Sequence, residues 1–298
     1  MVDVVIVGGG VAGLSAALVL GRARRTTLVL DTGEPRNGYS RMAHGVFTRD
    51  GTSPEELLRI GREQLRPYET VSLRSEAAAQ VRPVEDRFEI TLANGETVRC
   101  RRLLLAHGLV DELPDIEGLQ DLWGKSIFHC PYCDGWEVRD EPLVACGSGE
   151  AALEYVQVLL GWSKRLTLCT EGPSGLTEAQ LAQLERHGIP IHEAPVTRVE
   201  GANGRLTGVI LSDGSELQAT AMFMHPPYRL STDLAPQLGC ELTDKGLIVT
   251  DEWGRTSVTG VSAAGDIMTP NHQVIRAAAT GSTAAIRINS ELLAEDFV

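Results

Sequence analysis

Val4-Val5-Ile6-Val7-Gly8-Gly9-Gly10-Val11-Ala12-Gly13 decides how the rest of the chain is read. Residues 4–7 form a short, continuous apolar run, the pattern of a parallel strand buried on both faces. Gly8, Gly10 and Gly13 follow at once as Gly-x-Gly-x-x-Gly, and an apolar helical stretch continues through Leu14, Ala17, Leu18 and Leu20. Residues 27–30 read as a second buried strand, ending on Asp31. Gly8 permits a tight turn, Gly10 lets backbone approach a pyrophosphate, and Gly13 lets the helix lie close on the strand. The helix N-terminus then faces the phosphates, and Asp31 stands where an acid accepts ribose hydroxyls. Glycine clusters also make plain loops, but strand, glycines, helix, strand and acid in this register point to a dinucleotide.

The device recurs, weakly, roughly 140 residues later, as an internal duplication does. Residues 142–146 read as a strand, Gly147-x-Gly149-x-x-Ala152 as the turn, 153–160 as helix and 165–169 as the next strand. This copy is degraded. Glu150 lies inside the phosphate turn, and the following strand runs into Thr170-Glu171-Gly172 with no arginine to receive a 2′-phosphate. Glu171 suits ribose hydroxyls and repels an NADPH phosphate.

Between the copies, 36–51 shows no clear period. Residues 54–64 read as a helix with Ser53 as N-cap, Pro54 at N1 and Glu56 completing a capping box. Segments 71–73, 88–92 and 97–98, with a turn at Ala93-Asn94-Gly95, look like a small antiparallel insertion. Residues 102–106 are another buried strand, closed by His107-Gly108, and Pro114 marks a boundary. Further on come a helix at 178–186, a hairpin at 207–211 and 216–218, and a strand at 222–224. The chain returns after Gly239, with a strand into Gly265-Asp266 and a closing helix at 273–293. The fold class expected is α/β: two Rossmann-like, three-layer ββα nucleotide-binding domains, the second inserted in the first. The first would comprise 1–113 and 241–298, the second 114–240.

The inserted region carries Cys130-Pro131-Tyr132-Cys133. Two cysteines at this spacing close a small disulfide, or hold a metal where a second pair exists. Cys100, Cys146, Cys169 and Cys240 are single residues in or beside apolar segments, read as inert small hydrophobes, so redox is favoured over zinc. None of His44, His107, His129 and His225 shows metal spacing, and no metal is assigned. The chain has 298 residues, 43% of them apolar, enough for two well-buried cores. A net charge of −13 argues against nucleic acid or an anionic membrane surface as partner. No apolar run reaches the roughly 20 residues of a membrane span. The N-terminus lacks the basic start of a signal peptide. Sparse cysteines suit a cytoplasmic enzyme.

The opening Gly-x-Gly-x-x-Gly, the central Cys-x-x-Cys-Asp-Gly, the second Gly-x-Gly-x-x-Ala and the late Ala-Ala-Gly-Asp together resemble low-molecular-weight thioredoxin reductases, in order and across essentially the whole chain. The resemblance implies a FAD domain built from both ends of the chain, an inserted pyridine-nucleotide domain bearing the dithiol, and a homodimer. It implies that Cys133 is the flavin-proximal sulfur, Cys130 the sulfur that attacks a partner disulfide, and Asp134 the acid that protonates the leaving thiolate. Gly8, Gly10, Gly13 and Asp31 would hold the ADP half of FAD. Gly265 and Asp266 would meet its ribityl and phosphate region, and Gln273 and Val274 the flavin edge at a helix N-terminus. His44 and His107 are candidate flavin contacts.

Two features depart from the family: Cys-Pro-Tyr-Cys replaces the usual Cys-Ala-Thr-Cys, and the arginine clamp for NADPH is missing. They resemble a subset comprising deeply branching thioredoxin reductase-like proteins and FAD-dependent dithiol oxidases. Three readings follow. One is a reductase passing electrons from flavin to a thioredoxin-like disulfide, fed by NADH, by NADPH at a poor site, or by a ferredoxin-type carrier. Another is an oxidase of a small dithiol using oxygen, and the third a redox-responsive flavin protein without turnover. His129 adjoins Cys130 and would either lower a thiolate pKa or merely end a strand. His225 would occlude a nicotinamide or simply pack. Trp136 is read as core packing and Phe297 as a frayed end.

Overall fold

The computed structural model describes residues 1–298, and the chain divides into two compact units. Unit 1 contains Met1–Gly38, Gly45–Val110 and Tyr228–Val298; unit 2 contains Tyr39–His44 and Asp111–Pro227. The sequence reading set the crossings at 113/114 and 240/241. The chain crosses at 110/111 and returns at 227/228, where β7 (Leu109–Asp111) and β16 (Tyr228–Leu230) pair as a two-stranded ribbon.

Unit 1 opens with β1 (Val2–Val7), α1 (Val11–Arg22) and β2 (Thr27–Leu30), followed by α2 (Pro54–Leu65) and β3 (Val71–Arg74). Then come β4 (Ala78–Val84), β5 (Arg87–Leu92) and β6 (Thr97–Leu105). Parallel pairing joins β1 to β2 and β6, and β2 to β3, so β3 extends the main sheet and does not belong to the antiparallel insertion. The hairpin partners are β4 and β5, then β5 and β6. Residues 97–98 and 102–106, read as separate strands, fall on one continuous β6 that ends at Leu105. Its first half pairs antiparallel with β5 and its second half parallel with β1. The Ser53 N-cap is present, accepting from the Glu56 N–H at 3.3 Å, but the box is not reciprocal because the Glu56 carboxylate binds Arg59.

The sheet is buried on both faces because alternate residues feed two cores. Val5, Val7, Leu28, Leu30, Leu103 and Leu105 pack on one side. Val4, Ile6, Val29 and Leu104 pack on the other, against Leu14, Ala17 and Leu20 of α1.

Unit 2 carries α3 (Leu119–Leu122), β8 (Ile127–Phe128), α4 (Pro131–Asp134), β9 (Leu143–Cys146), α5 (Gly149–Leu159) and β10 (Leu166–Cys169). They are followed by α6 (Glu178–Arg186), β11 (Ile191–His192), β12 (Val196–Ala202), β13 (Arg205–Leu211), β14 (Glu216–Gln218) and β15 (Ala221–Phe223). Its parallel sheet runs β11-β10-β9-β15-β8, and β12-β13-β14 form a separate antiparallel sheet. One face packs Leu143, Ala145 and Leu168 under Leu153 and Val156; the other packs Val144, Cys169 and Met222 under Val199 and Val209. Each unit is thus the layered ββα sandwich expected. Back in unit 1, β16 is followed by α7 (Leu234–Leu238), β17 (Val261–Ala263, parallel to β6) and α8 (Val274–Asp296), which packs along α1. No helix is long and apolar enough to cross a membrane.

Candidate functional site

The glycine turn of unit 1 has the close approaches its sequence calls for. Gly8 is left-handed at φ +107°, and a Cβ there would overlap the Ala106 carbonyl; one on Gly13 would overlap the Gly8 carbonyl. Only glycine fits either place. Gly10 caps α1, and a Cβ on it would meet nothing within 4 Å. Asp31 is engaged twice: Oδ1 accepts the Gly9 N–H at 3.0 Å, and Oδ2 lies 3.0 Å from Arg62 Nη2. Sequence reasoning missed Arg62, since nothing in a helical surface residue announces a partner 31 positions away.

Of the remaining predicted residues, Gly265 comes close to the start of α1, where a Cβ on it would lie 3.1 Å from the Ala12 Cβ. Gly265 is left-handed at φ +85°, and its N–H donates to Thr280 Oγ1 at 3.0 Å, tying the late turn to α8. Asp266 Oδ2 lies 3.1 Å from Arg36 Nη1, so the stretch without a period supplies a guanidinium here. Gln273 is the N-cap of α8 and Val274 its first residue.

His107 follows Ala106 directly, so it stands beside the Gly8 turn; its Cα would be 2.8 Å from a Cβ on Gly8. Ser231 Oγ donates to the His107 carbonyl at 2.7 Å and lies 3.1 Å from Nδ1. A hydroxyl has one proton, already given to that carbonyl, so Nδ1 carries the hydrogen and Nε2 is a bare acceptor. Nε2 is buried and unpartnered, and burial pushes the imidazole pKa down to about 4. A buried acceptor without a donor is costly unless a ligand supplies one. The open ground over Gly10 and this acceptor fit a FAD at the turn.

In unit 2, Cys130 and Cys133 are disulfide-bonded with Cα atoms 5.3 Å apart. Cys130 is the N-cap of α4 and Pro131 occupies N1, where the missing N–H costs nothing. The Cys133 and Asp134 N–H groups both donate to the Cys130 carbonyl at 3.1 Å, closing the turn. A Cβ on Gly135 would press to 2.9 Å from the Trp162 ring, which also meets Tyr132 edge-on at 5.3 Å; glycine lets the dithiol turn seat on Trp162. Asp134 is raised to about 7, first by burial and then by the Glu137 carboxylate. A carboxyl that ionises near neutrality is suited to giving and taking a proton.

The structure gives several single residues partners that the sequence does not show. His44 lies in unit 2, with Nε2 3.4 Å from Glu137 Oε1. Trp136 is 64% exposed, with the Arg139 guanidinium 4.0 Å from its ring, so it is no core residue. Tyr155 donates to the His129 carbonyl at 3.0 Å and meets the His225 ring at a tilt of 48°, with ring centroids 4.2 Å apart. Cys146 and Cys169, read as isolated, are register partners on β9 and β10. Their shared hydrogen bond and burial push the Cys146 thiol well above its usual range. Cys146 is an unreactive thiol by that measure.

Two dinucleotide-type sandwiches, one bearing glycine turns fit for a flavin and the other a disulfide beside a near-neutral acid, define a disulfide oxidoreductase. Residues 2–284 match the pyridine nucleotide-disulphide oxidoreductase family, and the chain belongs to it. It is 34% identical to thioredoxin reductase sirT of Leptosphaeria maculans, over 99% of this chain and 95% of that one. The Bacillus anthracis TrxB structure superposes with a TM-score of 0.93 at 34% identity, covering 99% of both chains. The HlmI structure does so with a TM-score of 0.93 at 38% identity, covering 99% of this chain and 94% of that one. The chain is a thioredoxin reductase-like disulfide oxidoreductase, and membership of the family implies flavin and pyridine-nucleotide binding.

Proposed function

We propose that the protein passes two electrons between FAD, held by unit 1, and the Cys130–Cys133 pair of unit 2, and from that pair to a partner thiol or disulfide. Gly8, Gly10, Gly13 and Asp31 bind the ADP half; Gly265, Asp266, Gln273 and Val274 meet the remainder, with His107 accepting a hydrogen bond through Nε2. Bound FAD supplies the two-electron store.

The chain's own chemistry is thiol–disulfide exchange. A partner thiolate attacks Cys130 Sγ, the Cys130–Cys133 bond breaks, and Asp134 gives its proton to the departing Cys133 thiolate. The second partner thiol then attacks the mixed disulfide, releasing Cys130 and leaving the partner oxidised. Run backwards, with Cys130 as attacking thiolate, the same steps reduce a thioredoxin-type disulfide, the partner that relatives named thioredoxin reductase suggest.

The observation that carries this reading is Asp134 in the helical turn of the disulfide, its carboxyl raised to about 7. The test is anaerobic addition of dithiothreitol to the FAD-loaded protein. Flavin absorption bleaches in the wild type and not in Cys133→Ser; bleaching that survives the substitution refutes the mechanism. The direction from a partner dithiol through flavin to dioxygen, giving hydrogen peroxide, is favoured by the second glycine turn. Peroxide formed in air in a one-to-one ratio with dithiol consumed is its signature.

A further inference from the structure

The two copies of the glycine device end differently. In unit 1 the link from the turn to the end of the next strand is a side chain, the Gly9 N–H donating to Asp31 Oδ1. Gly10 beside it is extended, at φ −71° and ψ −174°. In unit 2 the link is main chain: the Gly149 N–H donates to the Ser174 carbonyl at 2.7 Å. Gly149 is left-handed at φ +66°, and a Cβ on Gly175 would lie 3.7 Å from both its N and its Cα. The 170–176 loop therefore lies against the turn.

That loop is fixed at several points. Thr170 Oγ1 donates to the Gly172 carbonyl at 2.6 Å, and the Ser174 N–H donates to Glu193 Oε1 at 3.1 Å. Ser174 is buried. Glu171 holds a left-handed φ of +54°, a conformation that persists where the surroundings impose it. Two carboxylates add to the carbonyl. Glu150 sits in the first turn of α5, and Glu171 lies near enough to Cys146 to help raise its thiol.

A pyrophosphate at such a turn is held by glycine N–H groups and the positive end of the helix. Here a carbonyl oxygen already takes the Gly149 N–H, and a carboxylate stands at the helix end that an anion would need. The residues do not fit the pyridine nucleotide that family membership implies. We propose that the 170–176 loop is a built-in occupant of the second nucleotide turn, with the Ser174 carbonyl in the place of a phosphate oxygen. Unit 2 then takes no pyridine nucleotide, and electrons enter from a thiol compound. Only this last clause rests on the function proposed above.

The FAD-loaded protein is titrated anaerobically with NADH, NADPH and dithiothreitol in separate arms, and nucleotide binding is followed in parallel by NADH fluorescence. Dithiothreitol bleaches the flavin, and neither nucleotide binds or bleaches it. Thr170→Val with Glu193→Ala, which unfastens the loop, gains saturable NADH binding that the wild type lacks. Saturable nucleotide binding by the wild type, or no gain in the unfastened variant, overturns the proposal. Failure of the dithiothreitol arm alone strikes the thiol reading and leaves the loop assignment standing. Should the variant not fold, amide exchange at Gly149 in the wild type decides. A protected amide, unchanged by saturating NADH, supports the closed turn; an unprotected or nucleotide-sensitive one refutes it.

Discussion

Asp134 and His107 are buried groups whose pKa values move in opposite senses, and this makes them separable by pH. Burial and Glu137 raise Asp134 to about 7 from 3.8, so between those values the folded protein binds the extra proton. Its contribution to stability is lost as pH rises through that window. Burial lowers His107 to about 4 from 6.5, so there the unfolded chain binds the extra proton and stability is lost as pH falls. From about 4 to 6.5 the two oppose each other, each by at most about 1.4 kcal/mol per pH unit. Relative to wild type, Asp134→Asn loses more stability on acidification through this range, and His107→Gln loses less. Melting temperatures measured at several pH values check both signs, and a shared sign for the two variants refutes the assignment.

The same residue sets a kinetic limb. The exchange step that needs the Asp134 proton weakens above about pH 7, and Asp134→Asn slows it roughly 10²- to 10⁴-fold with that limb gone. Stopped-flow flavin reduction by dithiothreitol, corrected for the thiol's own ionisation, reads this out. At this scale the sequence was partly legible. Asp134 follows Cys133 directly, so its place was plain, while its shift depends on Glu137 and on burial, which spacing does not encode. Arg36, Arg62 and Tyr155 carried no local signal, because each acquires its meaning from a partner distant in sequence.

Among the elements, α1 is gripped from two sides, and the glycines there answer different demands. A Cβ on Gly281 of α8 would overlap the Ala12 carbonyl of α1, backbone that has no rotamer to escape into. A Cβ on Gly61 of α2 would meet Leu14 Cδ1 at 3.0 Å, the tip of a side chain that can turn. Alanine for glycine in a helix gains about 1 kcal/mol from propensity. Overpacking costs about 1–3 kcal/mol and sometimes more. Gly61→Ala is therefore near neutral or stabilising. Gly281→Ala is destabilising, with a loss of about 2–4 °C in Tm per kcal/mol and, if FAD sits at the Gly8 turn as proposed, weaker FAD retention, since α1 begins at that turn. Calorimetry and flavin-to-protein ratio measure both; equal effects from the two substitutions refute the argument.

Element types followed from the pattern wherever a strand was buried on both faces, as with β1, β2 and β10. β6 was split because Arg99, Arg101 and Arg102 interrupt its apolar run. Those arginines are accommodated by acids, Arg99 on Glu89 and Arg101 on Asp3, Glu295 and Asp296. Likewise β3 reads as an exposed alternating edge, since β2 is its one neighbour.

For the whole molecule, the order of motifs fixed two layered units, one interrupting the other, because glycine turns and buried strands are local signals repeated in the chain. Where the chain crosses was less legible: β7 and β16 are three-residue strands, and Tyr39–His44 joins unit 2 from within the unit 1 sequence. The division of labour makes a joint prediction about the two sulfurs. If Cys130 faces the partner, Cys133→Ser removes the thiol that would resolve a mixed disulfide, and the partner remains bound through Cys130. If Cys133 faces the flavin, Cys130→Ser leaves a thiolate with no disulfide to form, seen as a long-wavelength charge-transfer band in the FAD-loaded protein. Each variant thus shows one signature and lacks the other. Non-reducing gels with mass spectrometry read the first, and absorption spectroscopy across a pH series reads the second. A charge-transfer band in Cys133→Ser, with trapping by Cys130→Ser, would exchange the two roles while leaving the dithiol's function intact. Neither signature in either variant would remove the pair from the path of the electrons.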